Sequence, residues 1–447
     1  MKQKEFNMKK MKRLSFLYQM EPPKILFWGY LLYIFLGWIL LSLPFFQKVK
    51  VTFLDSLFVS ASAVSTTGLS PISVHDSFSF IGEIIILTLI QLGGLGYMTF
   101  GSFVILMRKN TMTSLRENIL GSSFELPGHY SIKKFIKSIV IYTLSIETVG
   151  AILLFFAFKK DASLNPIWNA IFHSVSSFCT AGFSLYNNSL ESYSHSIYLN
   201  TIVSILSLLG AIGYIVAVDV LLVFKGFQKR ITFTSRIILN MTIFILFFGT
   251  GLVFITESSL FQLPAWERLL ASFFQVMSAI TTVGFNTIPI GKLALSSLFL
   301  VNVFMIIGAS PSGTGGGIKS TSVSAIYAIV RSAFRVDKRV LYFNKIIPFE
   351  RVVYAICTFS FYIAVLAVGL WGVLITDPTF SFNELFFEVC SALGTVGLST
   401  GITSLISPLG KIIFIVLMFI GRLGPLSFGM AVFYKVKSDV SIEDIAI

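Results

Sequence analysis

The sequence predicts an all-α polytopic membrane protein: four parallel repeats, each a span, a short re-entrant helix and a second span, arranged around one axis. Three observations carry this expectation: an apolar composition, apolar segments long enough to cross a bilayer, and an internal motif that recurs four times.

Of 447 residues, 55% are hydrophobic and 12% charged, and the mean hydropathy of +0.84 excludes a water-soluble fold. Cys179, Cys357 and Cys390 lie inside apolar stretches without a C-x-x-C pair, so neither a disulfide framework nor a zinc site is expected. A net charge of +13 would suit nucleic acid only if the bases clustered on one solvated domain, and no such domain exists; the charge reads as membrane topology.

The basic segment 1–24 precedes an apolar run with no small-residue cleavage site, so the first span is retained. Apolar segments follow at 25–46, 80–107, 136–158, 197–224, 235–256, 293–330 (interrupted), 349–375 and 407–434, each long enough for a core roughly 30 Å thick. That makes eight spans.

Between alternate spans lie shorter stretches, 58–70, 172–184, 274–286 and 387–399. Superposed on Gly68, Gly182, Gly284 and Gly397, they carry Phe at −10 (Phe58, Phe172, Phe274, Phe387), Ser at −6 (Ser62, Ser176, Ser278, Ser391) and Thr at −2 (Thr66, Thr180, Thr282, Thr395). Matching one Phe three more times at a fixed offset has odds of about one in a thousand before the other columns are added. The intervening helical stretch is too short to span and must be re-entrant.

The expected organisation is a cytoplasmic N-terminus (1–24), repeat 1 (25–107), a cytoplasmic loop (108–135), repeat 2 (136–224), a loop (225–234), repeat 3 (235–330, with a broken second span and an intramembrane loop at 308–321), a loop (331–348), repeat 4 (349–434) and a cytoplasmic C-terminus (435–447). Charge counting supports it: 25 of the 34 lysines and arginines fall in 1–24, 108–137, 225–236, 331–351 and 435–447, the termini and inter-repeat loops with their edges, as cytoplasmic segments should. Both termini are then cytoplasmic, the protein is a multi-pass protein of the cell membrane surrounded by lipid, and the glycine loops enter from outside.

Four re-entrant units of one orientation bring four backbone loops together around a central pore. Non-helical backbone survives at membrane depth only where it is buried in protein or lines water, and carbonyls aimed at the axis can replace the hydration shell of a cation. The C-terminal ends of the re-entrant helices favour positive charge. The windows 64–70, 178–184, 280–286 and 393–399 contain no charged residue, which argues against a divalent ion and for potassium.

The loops Thr66-Thr67-Gly68, Thr180-Ala181-Gly182, Thr282-Val283-Gly284 and Thr395-Val396-Gly397 resemble those of the Trk/Ktr/HKT superfamily of cation transporters over nearly the whole chain. The resemblance implies that these twelve residues form a selectivity filter binding potassium. Glycine at all four filter positions resembles the potassium-selective members, and sodium is an activator in parts of the family. With no extra pair of spans before the first unit, the chain looks more like the Ktr-type membrane subunit than the longer TrkH type. The family pairs a membrane homodimer with a cytoplasmic RCK ring that binds adenine nucleotides; Arg331, Arg335, Lys338 and Arg339 form the expected docking face.

The second spans carry their own pattern, Gly93-Gly94-Leu95-Gly96, Gly210-Ala211-Ile212-Gly213, Gly308-Ala309-Ser310-Pro311 and Gly421-Arg422-Leu423-Gly424. In the third unit the glycines of 308–321 cannot sustain a helix, and Lys319 lacks the preceding Gly that a phosphate-binding loop requires. A flexible loop across the pore fits better and resembles the family's intramembrane gate. Its expected residues are Gly308, Ser310, Gly313, Thr314, Gly315, Gly316, Gly317 and Lys319, with Arg422, a charge at membrane depth, as partner.

An enzyme would cluster His, Asp or Glu at one depth, and no such cluster is present. A sodium- or proton-coupled symporter is the alternative; it calls for inverted repeats and a midplane carboxylate, and only Glu147 offers itself. Glu147 and Asp219 are expected to serve packing. The four histidines, His75, His129, His173 and His195, share no ligand spacing.

Overall fold

The computed structural model describes residues 22–96, 132–159, 165–335 and 339–433. The expected cytoplasmic termini and the loop 108–135 lie outside the described residues except for 22–24 and 132–135, as do 97–107 of repeat 1, His129 and Lys338.

Each unit opens with a long apolar helix: α1 (Pro22–Ser42) in the first, followed by the re-entrant α2 (Phe53–Ser65) and by α3 (Phe80–Leu95). The second unit comprises α4 (Ile132–Phe158), re-entrant α5 (Pro166–Phe178), α6 (Ile197–Ile212) and α7 (Tyr214–Phe224). The third has α8 (Phe233–Thr256), re-entrant α9 (Ala265–Thr281), α10 (Leu295–Ile306) and α11 (Ser320–Phe334). A two-stranded hairpin, β1 (Leu341–Tyr342) with β2 (Lys345–Ile346), leads into α12 (Phe349–Thr376), re-entrant α13 (Phe382–Gly394), α14 (Pro408–Leu423) and α15 (Pro425–Phe433).

The opening helices α1, α4, α8 and α12 are long and apolar enough to cross a membrane. Their outer faces carry exposed rings such as Phe156, Phe247 and Trp371, which in lipid cost nothing. The re-entrant helices behave differently. At 13 to 17 residues they reach about 20–25 Å, and their C-terminal halves are buried: 58–65 in α2 and 387–394 in α13 have no exposed residue. The −10 phenylalanines Phe58, Phe172, Phe274 and Phe387 are wholly inaccessible and belong to the two main core clusters, which join residues of different units.

Sequence chemistry starts these helices in defined places. Thr52 caps α2 by accepting from the Asp55 amide, Asn165 caps α5, and Ser381 with Glu384 forms a capping box on α13. Polar ties then join neighbouring units on the loop-mouth side. Trp168 Nε1 donates to Glu83 Oε2 at 2.6 Å, Asn286 Nδ2 donates to Glu191 Oε1 at 2.8 Å, and Lys411 pairs with Asp55 at 2.7 Å, linking the fourth unit to the first.

The second helices depart from expectation. The sequence suggests continuous spans over 197–224 and 407–434, with a break only in the third unit. Instead α6 and α7 meet at 97°, and α14 and α15 at 101°. The hinge is the fourth position of the glycine pattern, Gly213 (φ +92°) and Gly424 (φ +84°); Gly96, which ends α3, has φ +75°. A side chain strongly disfavours that region. The first position of the pattern has a different job. A Cβ on Gly93, Gly210 or Gly421 would stand 2.2, 1.9 or 2.2 Å from the carbonyl oxygen of Val64, Phe178 or Leu393. These glycines let each second helix lie directly on the end of its re-entrant helix.

Phe387→Ala opens a cavity in this packed interior and should destabilise the protein by about 3 kcal/mol. In detergent its melting temperature should fall well below that of Phe247→Ala, whose ring is 75% exposed. Equal shifts would mean that the −10 rings do not hold the core.

Candidate ion pathway

The four re-entrant helices end alike. Thr66, Thr180, Thr282 and Thr395 take left-handed backbone angles (φ 53°, 51°, 57° and 50°), costly for a β-branched residue and sustained only by the surrounding structure. That turn lets the next amide reach back to the helix: Thr67, Ala181, Val283 and Val396 donate to the carbonyls of Ser62, Ser176, Ser278 and Ser391 at 2.8 to 3.1 Å. Each is the six-to-one closure of a Schellman motif. The amides are thereby consumed, and the chain leaves the helix as an extended segment through the glycine.

The glycines close a ring. A Cβ on Gly68 would lie 2.4 Å from Ala181 O, one on Gly182 2.3 Å from Val283 O, one on Gly284 2.0 Å from Val396 O, and one on Gly397 2.1 Å from Thr67 O. Every glycine thus abuts the carbonyl that precedes the glycine of the next unit, and the fourth unit returns to the first. All four have positive φ, between +65° and +96°. A side chain is excluded twice, by backbone angle and by the neighbouring carbonyl.

Above the ring, a cavity of about 330 Å³ is lined by the four glycines and by residues such as Ser70, Ser184, Asn286 and Ser399, with no charged side chain among them. On the rim, the Asn187 amide and then Ser73 hold the Asp76 carboxyl below the usual carboxylate range, so it stays ionised at neutral pH. Burial pushes the Glu191 carboxyl up, against the pull of Asn286 and Lys292.

Two columns brace the loops. At −6, Ser62 Oγ and Ser391 Oγ accept from the amides of Gly68 (3.1 Å) and Gly397 (3.0 Å), and Ser176 Oγ donates to Phe183 O at 2.8 Å. The second column, at −9, was not apparent from composition. His173 Nε2 pairs with Ser184 Oγ at 3.0 Å and Gln275 Nε2 donates to Thr287 Oγ1 at 3.2 Å. Glu388 accepts from Ser399 Oγ (2.6 Å), the Thr400 amide (2.8 Å), Thr400 Oγ1 (3.2 Å) and Thr403 Oγ1 (2.9 Å). Each side chain ties the descending segment beyond the glycine to the re-entrant helix. Three residue types share the job, so identity gives no signal; polarity at −9 in three units does.

The segment 307–319 passes beneath the ring and touches all four threonines. Thr66 Oγ1 approaches Thr314 O at 3.5 Å, Thr180 Oγ1 donates to Thr314 Oγ1 at 3.0 Å, and the Gly316 amide donates to Thr282 Oγ1 at 3.2 Å. A Cβ on Gly316 would fall 2.2 Å from Thr395 Oγ1, and one on Gly315 2.3 Å from Thr282 Oγ1. The neck of the loop closes on itself, the Ala309 amide donating to Gly316 O and the Ile318 amide to Ile306 O, with Gly308 and Gly317 packed face to face. Its far side caps the bend in the second unit. Ser310 Oγ donates to Ala211 O at 2.8 Å and to Ile212 O, the Tyr214 amide donates to Ser312 O, and the Thr314 amide donates to Gly210 O; Gly313 abuts Ala211 O. Lys319 Nζ donates to Gly315 O at 2.7 Å.

Arg422 reaches under the ring from the fourth unit. Its Nη1 donates to Thr66 Oγ1 at 2.9 Å and to Thr314 O, and its Nη2 to Gly93 O and, at 3.4 Å, to Gly94 O. Every recorded hydrogen-bond acceptor is neutral. Glu147 accepts from Gln91 Nε2 (3.1 Å) and from Cys179 Sγ (3.6 Å), one residue before Thr180; Asp219 accepts from the Thr232 amide at 2.6 Å. His75 pairs with Glu83 and His195 with Glu267.

Four re-entrant loops closed into one uncharged backbone ring define a class: membrane proteins that carry ions. Residues 34–443 match the TrkH family of cation transport proteins, and the chain belongs to that family. It is 30% identical over 432 residues, 95% of either chain, to Ktr system potassium uptake protein B of Bacillus subtilis (strain 168). It is 33% identical over 424 residues, 92% of each, to Ktr system potassium uptake protein D of the same organism. Potassium/sodium uptake protein NtpJ of Enterococcus hirae is 31% identical over 415 residues, 91% of each. The crystal structure of the potassium transporter TrkH from Vibrio parahaemolyticus shares the fold, with a TM-score of 0.70 at 21% identity over 90% of this chain and 84% of that one. The family is one of transporters, not enzymes.

Glu388→Ala leaves several buried donors without an acceptor, at about 1–3 kcal/mol each. It should lower the melting temperature sharply, whereas Glu388→Gln, which keeps an acceptor, should lower it less. Equal losses would show that the carboxylate geometry, and not hydrogen-bond acceptance, holds the fourth loop.

Proposed function

We propose that the chain is the membrane subunit of a potassium-uptake system, and that a monovalent cation crosses, channel-like, through the glycine ring under the membrane potential. The observation that carries this reading is the cyclic contact of the four glycines: it gives one axis, one ring of backbone carbonyls and no fixed charge. Uncharged oxygens suit a large, weakly hydrated ion, and the relatives named above are potassium or potassium/sodium uptake proteins. In this reading potassium, as the transported substrate, binds at Thr66, Thr67, Gly68, Thr180, Ala181, Gly182, Thr282, Val283, Gly284, Thr395, Val396 and Gly397. Sodium as an activator belongs to the same proposal.

The loop at 308–319 is the gate, held shut by Ser310, Thr314, Lys319 and Arg422. Its contacts with all four threonines support that role. A potential of −180 mV supplies about 4 kcal/mol per univalent ion, a roughly thousandfold gradient, so uptake needs no coupled ion. The chain sits in the cell membrane with both termini cytoplasmic, works as a homodimer, and is regulated by a separate RCK ring binding adenine nucleotides.

Potassium flux into liposomes, measured with and without sodium, tests the proposal. Gly68→Ser and Gly284→Ser should lower potassium-over-sodium selectivity about tenfold, equivalent to 1.4 kcal/mol in ion binding; unchanged selectivity across the Gly→Ser series would remove the ion from the ring.

Shortening the loop within 313–317 should raise flux strongly and blunt its regulation. Arg422→Ala should act in the same direction but less, since it removes one set of contacts and keeps the obstruction. If both variants fold and conduct at the wild-type rate, the loop is not the gate.

A further inference from the structure

On the face opposite the glycine ring, a cavity of about 450 Å³ opens between α8, α11 and the hairpin; its lining includes Arg236, Arg331, Arg335, Ser332, Phe343 and Asn344. The volume is that of a small-ligand site. Among the described residues its charge is one-sided: three guanidinium groups line it and no carboxylate does, and none of the three is ion-paired. A basic residue in a last helical turn is expected, because it answers the partial negative charge there. That accounts for Arg331 and Arg335 on α11. It does not account for Arg236, which arrives from the first turn of a different helix, where positive charge is unfavourable.

The hairpin holds this arrangement. Its turn residues Phe343 and Asn344 both have positive φ (46° and 58°), the signature of a type I′ turn, and Phe at that position is strained. The strained residue puts its ring beneath Arg236, whose guanidinium carbon lies 5.3 Å from the ring centroid. The Leu341 amide donates to Ser332 Oγ at 3.3 Å, fastening the hairpin to α11. On the same elements, Phe334 beside Arg335, Ile346 of β2 and Phe349 at the start of α12 are exposed by 85%, 58% and 70%.

We propose that this cavity binds a phosphate group, a monoester or diester, through Arg236, Arg331 and Arg335. The planar fork of arginine matches phosphate oxygens two at a time, and three such forks with no carboxylate among the described lining residues exceed what the helix ends require. The exposed apolar side chains on the adjoining elements suit the acyl chains of an anionic phospholipid, and the same three arginines would also take a soluble phosphate or nucleotide. α11 runs from the loop under the ring to this cavity, so an occupant would hold the far end of the helix that follows the loop.

The test uses the purified full-length chain in a neutral detergent, with thermal stabilisation and titration as readouts. One arm adds short-chain phosphatidylglycerol against phosphatidylcholine; the other adds inorganic phosphate or ADP. Binding of phosphatidylglycerol alone identifies a lipid source, binding of phosphate or ADP a soluble one, and either supports the site. Affinity for the ligand that binds should fall at least tenfold in Arg331→Gln/Arg335→Gln and in Arg236→Gln. Lys229→Gln/Arg230→Gln, which removes two charges of the same face outside the cavity lining, should leave it unchanged. No binding in either arm, or an equal loss in the Lys229/Arg230 variant, overturns the proposal.

Discussion

No backbone amide or carbonyl can stay unpaired at membrane depth, and the architecture follows from that constraint. Helices meet it by themselves; every departure from helix has to be answered by a neighbour. The left-handed threonines are answered by the closures from residue −1 to residue −6. The descending segments are answered by the polar side chains at −9. The bend at Gly213 is answered by the loop from the third unit, whose Ser310 and Ser312 receive or supply the hydrogen bonds that α6 and α7 leave open. What looks like irregularity is one hydrogen-bond network distributed over four units.

Arg422 belongs to the same network. A guanidinium at this depth costs about 2.5 to 3.5 kcal/mol on insertion scales, and hydrogen bonds from a charged donor contribute about 1.5 to 3 kcal/mol each. Its acceptors come from the first re-entrant turn, the crossing loop and the end of α3, so one side chain ties three chain segments together. Removing the side chain therefore loosens a junction more than it removes a charge.

Much of this was legible in the sequence, for physical reasons. The −10, −6, −2 and 0 columns each keep one residue type and could be superposed, and the −6 backbone carbonyl closes the turn in every unit. The loop at 308–319 was legible because glycine density excludes a helix. The bends at Gly213 and Gly424 were not, since apolar periodicity runs through them unchanged and a glycine with positive φ reads like any helix-packing glycine. His173, Gln275 and Glu388 were missed for the opposite reason: one role is filled by three chemistries, and His173 was set aside for want of ligand spacing without being considered as a brace. Nor can a sequence show that Gly68 rests on Ala181 and Gly397 on Thr67; that the ring closes is a fact of three dimensions.

The ring has near-fourfold symmetry, yet the segment crossing beneath it comes from a single unit. Four identical subunits can shut an axial passage only as an iris does, with every part moving equally. A single chain is free of that obligation: in the reading proposed above one unit supplies the moving part, and displacing it breaks that segment's hydrogen bonds to Thr66, Thr180, Thr282, Arg422 and the bend at Gly213, while the contacts that close the glycine ring are not among them.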